Sequence, residues 1–178
     1  MNLQNYINER LKITSNTKSA MIRPKTREEL RSLIEQELER QGPNADLNHI
    51  DVSEIRDMST LFVHLKIKNI KIDSWDVSNV TNMDNMFHNC YEFNSDLSRW
   101  DVSNVTSMKN MLYYCNKFES DLSRWNVSNV TSMSYMFYNC HNFNSDLSNW
   151  DVSNVTKMDA MFQSCVKLNS DLSRWDVS

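Results

Sequence analysis

Trp75, Trp100, Trp125, Trp150 and Trp175 are each separated by 25 residues, and this single regularity constrains the chain more than any other feature. Cys90, Cys115, Cys140 and Cys165 keep the same interval, as do the Met-Phe or Met-Leu pairs that begin at Met86, Met111, Met136 and Met161. The phrase Asp-Leu-Ser-Arg-Trp-Asp-Val-Ser at 96–103 recurs, little changed, at 121–128, 146–153 and 171–178. Earlier forms stand at 71–78 and 46–53, with Ile50 in the tryptophan slot. A unit of this length cannot bury its apolar face alone, so it must stack on its neighbours.

Within a unit the apolar spacing changes once. Trp100-Asp-Val102 alternates as a half-buried strand does, with Leu97 just ahead. Met108, Met111, Leu112 and Cys115 then fall on one face of a helix of two to three turns. The chain has one glycine, Gly42, so asparagine is expected to supply the left-handed turn residues. Leu97-x-x-Trp100-x-Val102 also has the spacing of a leucine-rich repeat core. The sequence from Trp75 to Phe87, Trp-Asp-Val-Ser-Asn-Val-Thr-x-Met-x-x-Met-Phe, resembles the BspA-like leucine-rich repeats, and it recurs from Trp100, Trp125 and Trp150. The resemblance covers 46–178. It implies a parallel-sheet solenoid used for protein contacts, often on bacterial or protist cell surfaces.

The expected architecture is an α/β repeat: a right-handed, leucine-rich-repeat-like solenoid with a parallel β-sheet, one short helix per repeat and a helical N-terminal cap. Residues 1–20 read as a polar arm with a weak helical pattern through Leu3, Ile7 and Leu11. Residues 21–45 hold the capping helix, expected over 26–41. Thr26 and Glu29 form a capping-box pattern there, Leu30, Leu33, Ile34 and Leu38 the apolar stripe, and Gly42-Pro43 the stop. No equivalent helix covers the last phrase. Leu172, Arg174, Trp175 and Val177 are therefore candidates for a dimer edge, where two copies would pair about a twofold axis or receive a neighbour's arm.

Nineteen Lys and Arg against 23 Asp and Glu give a net charge of −4, a poor footprint for nucleic acid. No apolar run is long enough to span a bilayer, and Met1–Ala20 lacks a secretory apolar core, so a cytoplasmic location is expected. A removed leader would make it a surface protein. The four histidines are scattered and no Gly-rich phosphate loop is present, which argues against an enzyme. No cofactor is expected. The cysteine column lacks zinc-ligand spacing and reads as buried core thiols. Asp76, Asp101, Asp151 and Asp176 form one acidic column, and Asp96, Asp121, Asp146 and Asp171 another. Calcium would suit such carboxylates, but Asn126 replaces one of them, and turn hydrogen bonds explain both columns better. The Asn-Val-Thr triplets at Asn79, Asn104, Asn129 and Asn154 match glycosylation sequons but follow from the repeat wording.

What varies between units is aromatic. Tyr113 and Tyr138 follow His88 in register, Tyr114 and Tyr135 lie beside them, and Tyr91 and His141 sit just beyond. Clustered exposed tyrosines are enriched at interfaces, so these residues are the candidate protein-binding surface. Arg99, Asp101 and Arg124 on the strand side are the alternative. The sequence therefore reads as a non-enzymatic protein-binding module, bacterial or encoded by a phage or mobile element. A cell-surface adhesin, or a small inhibitor occupying the surface of a host or defence protein, are its rivals.

Overall fold

The computed structural model describes residues 21–177. Among the described residues the one helix is α1, Arg27–Gln41. Thr26 caps it, its side chain accepting from Glu29 N, while Glu29 Oε2 accepts from Lys25 N at 2.7 Å. Gly42, at φ 81°, ends the helix and donates back to Leu38 O. Leu30, Leu33 and Ile34 are buried against the rest of the chain. The expected arm at 1–20 lies outside the described residues.

Beyond α1 the parallel sheet and the helix in every repeat are both overturned. The described residues contain no strand, only isolated parallel bridges that link Asp57, Asn82, Ser107, Ser132 and Lys157 in one column, with further single bridges at Ile22–Ile50 and Asp46–Lys71. The chain is therefore not a leucine-rich-repeat solenoid. Each copy is a string of tight turns. In the third, Trp100 N bonds Leu97 O, Val105 N bonds Val102 O, Met111 N bonds Met108 O and Cys115 N bonds Leu112 O. The physical reason lies in the small polar residues. Asp96 and Asp101 accept from the backbone N–H of Ser98 and Ser103, which takes those donors out of any ladder. Trp100 and Val102 alternate inward as expected, but turns at 98–99 and 103–104 break the backbone on either side of them.

The 108–115 pattern fails as a helix for a different reason. Met108, Met111, Leu112 and Cys115 are all buried. The backbone, however, alternates: the N–H groups of Tyr113 and Cys115 close local turns, and those of Met108, Asn110, Leu112 and Tyr114 leave the copy altogether. They donate to Ser132, Ser134, Met136 and Tyr138 carbonyls of the next copy at 2.8–3.0 Å. The same four bonds join the other copies, for example Met83, Asn85, Phe87 and Asn89 to Ser107, Lys109, Met111 and Tyr113. This geometry needs two left-handed residues per copy, found at Asn85 and Asn89, Asn110 and Tyr114, Tyr135 and Asn139. Asparagine does replace glycine, though not everywhere.

Side chains knit the copies in the opposite sense. Each Trp Nε1 donates to a carbonyl of the preceding copy, as Trp100 does to Ile72 O at 3.1 Å. Cys90, Cys115, Cys140 and Cys165 donate from Sγ to Phe62, Phe87, Leu112 and Phe137 carbonyls. Burial raises their thiols, Cys90 to about 12 and Cys165 to about 11, far from a reactive thiolate. Asn79, Asn104, Asn129 and Asn154 clamp the serine carbonyls of the copy before them at 2.7–2.9 Å. Stacked Trp and Phe rings fill the centre, Trp75 on Trp100 at 6.4 Å and Phe62 on Phe87 at 5.0 Å.

Met58, Thr60, Phe62 and His64 send their N–H groups forward, so the first copy is left with outward carbonyls. α1 meets them. Arg31 Nη1 donates to Thr60 O at 2.8 Å and Leu61 O at 3.0 Å, Arg31 Nη2 to Val63 O at 3.4 Å, and Arg27 Nη1 to Ser59 Oγ at 2.7 Å. Replacing Arg31 by Met keeps the apolar stem and removes the donors. The expected loss is about 2 kcal/mol, the range for hydrogen bonds to a charged group, measured by urea unfolding. An unchanged midpoint would mean that water serves these carbonyls equally well.

Candidate functional site

The outward residues of the turn column form a continuous aromatic ladder. His88 stacks on Tyr113 with ring centroids 4.6 Å apart and planes 3° apart, and Tyr113 stacks on Tyr138 at 4.9 Å and 13°. Tyr114 leans on both Tyr113 at 4.8 Å and Tyr138 at 5.7 Å. Tyr91 meets Tyr114 edge-on at 6.2 Å, and Tyr135 reaches Tyr138 at 6.0 Å. The structure thus brings together the five tyrosines singled out in the sequence. Tyr91 and Tyr135 are the most exposed of them, at 52% and 38%. His141 is exposed beside this group and is held by Asn116 Nδ2 through its Nδ1. His64 extends the patch at the other end, edge-on to His88 at 6.0 Å.

Ladder geometry fixes what this surface can offer. Ring faces inside the column are covered by their neighbours, so edges and hydroxyls point to solvent. Burial, then the neighbouring Tyr114, Tyr138 and Tyr135, raise the Tyr113 phenol above its ordinary value. The His88 imidazole is lowered by burial and by His64, and its Nδ1 is buried without a partner. The surface is aromatic.

Two of the tyrosines carry a signal that periodicity alone did not show. Tyr114 has φ 60° and Tyr135 has φ 59°, the left-handed region. The equivalent positions in other copies hold Asn85, Asn89, Asn110 and Asn139, and at the two ends Thr60, His64, Ala160 and Ser164, at 47–63°. Asparagine tolerates that conformation and a bulky side chain does not.

The remaining candidates lie elsewhere. Arg99, Asp101 and Arg124 are exposed on the returning side of the coil, and no ring contact or ion pair among the described residues joins them to the tyrosines. At the far end Leu172 and Trp175 are half-buried against the core, whereas Arg174 and Val177 are exposed. The N–H groups of Met158, Ala160, Phe162 and Ser164 find no acceptor among the described residues.

Both acidic columns are occupied by turns. Asp101, Asp151 and Asp51 accept from the serine two residues on, as do Asp96, Asp121, Asp146 and Asp171. The second column also takes the Ser120, Ser145 and Ser170 hydroxyls of the following copy. Asn126 makes the same two bonds to Ser128 that its aspartate counterparts make. Ser95 shows the rule by exception: its copy partner is Lys71 rather than Asp, and its hydroxyl is buried without a partner. These bonds hold the aspartates below their ordinary value of 3.8. A carboxylate depressed on folding contributes stability above its unfolded pKa, and that contribution is lost as pH falls through the folded one. The melting temperature should be level from about pH 7 to pH 5 and fall below about pH 4. Asp101→Asn with Asp151→Asn should flatten the fall. Equal acid sensitivity in that double variant would assign it to other groups.

A family model described as Mycoplasma protein of unknown function, DUF285, matches residues 30–139 and 115–178. The chain belongs to this family. No curated protein and no solved structure matches it.

Proposed function

We propose that this member of the DUF285 family is a non-enzymatic protein-binding module that uses the aromatic ladder as its contact surface. The observation that carries this reading is the gathering of five tyrosines into one patch, with Tyr114 and Tyr135 flanking the stacked Tyr113 and Tyr138. Tyr91 completes it, edge-on to Tyr114. Preordered tyrosines lose little side-chain entropy on binding and supply large amphipathic contact area.

The finer kinship belongs to the same proposal. Trp75 to Phe87 has the wording of BspA-like repeats, which points to a surface adhesin if the native protein is found outside the cell. Fractionation of the native host separates that role from one inside the cell.

Two measurements test the binding role. Replacing Tyr113, Tyr114 and Tyr138 together by Ser should leave the melting transition cooperative and abolish capture of the partner in affinity purification from the native host. Undiminished capture would move the site to Arg99, Asp101 and Arg124. Separately, Tyr135→Asn should raise stability by about 1 kcal/mol, because the left-handed backbone disfavours Tyr. It should weaken capture at the same time. Stabilisation without weaker binding would leave Tyr135 outside the interface.

A further inference from the structure

The end of the stack that α1 covers keeps an open groove. Leu38, Gly42, Pro43 and Leu65 line it, and its volume is about 420 Å³. Its rim carries Glu35, Glu39 and Lys66. Arg31 pairs with Glu35 at 2.9 Å, whereas Glu39 and Lys66 have no ion partner among the described residues. We infer that residues 3–12 of the same chain dock in this groove, with Leu3, Ile7 and Leu11 against its apolar lining, Lys12 beside Glu39 and Glu9 beside Lys66. The docking is independent of the ladder's binding role.

Three properties select that segment. Leu3, Ile7 and Leu11 recur every four positions, so helical turns would hold all three on one face to meet the apolar lining. The second property is charge. Residues 1–20 hold Glu9 against Arg10, Lys12 and Lys18, in a chain whose net charge is −4. The groove lies at the last turn of α1, the negative end of the helix dipole, where cations are favoured. Reach is the third. The described chain begins at the same end of the stack: Ile22 N donates to His49 O at 3.1 Å, and His49 Nε2 lies 3.5 Å from Glu37 Oε1 on α1, next to Leu38. Residues 13–20 can span up to about 28 Å, whereas a helix is about 10–12 Å across.

Zero-length carbodiimide coupling of the full chain, read by mass spectrometry, tests the contact. It should join Lys12 to Glu39 and Lys66 to Glu9. In a mixture of isotopically light and heavy protein, these links should run light to light and heavy to heavy. Ile7→Ser with Leu11→Ser should abolish both links and lower the melting temperature by roughly 5 °C, because two apolar side chains lose their burial. That variant alters only residues outside the described fold. Links that persist in it at full yield would mean attraction between charges alone and would overturn the inference. Mixed light–heavy links would give the groove to a neighbour's segment and overturn it too. So would coupling of Lys12 only to acidic residues at the far end of the stack, such as Asp159 or Asp171, or an unchanged melting temperature in the variant.

Discussion

The backbone hydrogen bonds that leave each turn column for the next copy are the constraint on which the remaining architecture depends. Met83, Asn85, Phe87 and Asn89 send their N–H groups forward, and every copy that follows repeats the arrangement. For alternate donors to point the same way, the chain must pass through the left-handed region twice per copy. A helix would satisfy those donors four residues back, within its own copy. The unit can therefore fold into a stack or into a helix, but the same N–H groups cannot serve both. Tertiary pairing wins because the apolar faces need neighbours in any case.

Forward donation leaves the two ends of the column unlike, and the chain treats the first with charge. Arg31 and Arg27 are four apart on α1, next to Leu30 and Ile34, so the stripe that buries the helix also aims both guanidinium groups at the same edge. A carbonyl row is the negative end of aligned peptide dipoles, and a cation is its natural complement. Elsewhere the reverse bonds from Trp Nε1, Cys Sγ and the Asn79 column balance the copy on its other side. Tryptophan and cysteine thus serve twice, as core volume and as donors that tie each layer to the one before.

The period, the core residues and the helix over 27–41 were legible in the sequence because burial repeats with the residue that causes it. Met108, Met111, Leu112 and Cys115 do face inward. The secondary structure was not legible. An i, i+3, i+4, i+7 pattern reports which side chains share a face, and a run of turns satisfies it as well as a helix. Asp101 and Ser103 carried the contrary signal, since an Asx turn at every Trp-Asp-Val-Ser phrase competes with a strand. The five tyrosines were legible as a group. That two of them stand at left-handed positions was not, because the register of those positions depends on the turn column itself.

Division of labour between backbone and side chain explains why the variable positions became aromatic at all. The turn column is fixed by hydrogen bonds that do not involve its outward side chains, so His88, Tyr113, Tyr138 and Gln163 can differ without loosening the stack. Identical spacing then brings neighbouring rings to stacking distance without further design, and each ring that is added orders the next. The left-handed positions are the exception, because there the backbone does discriminate. Asparagine at Asn110 and Asn139 follows that preference, while Tyr114 and Tyr135 go against it beside the same ladder. Thr60, His64, Ala160 and Ser164 depart from it too, so the bonds between copies hold the left-handed register whatever residue occupies it.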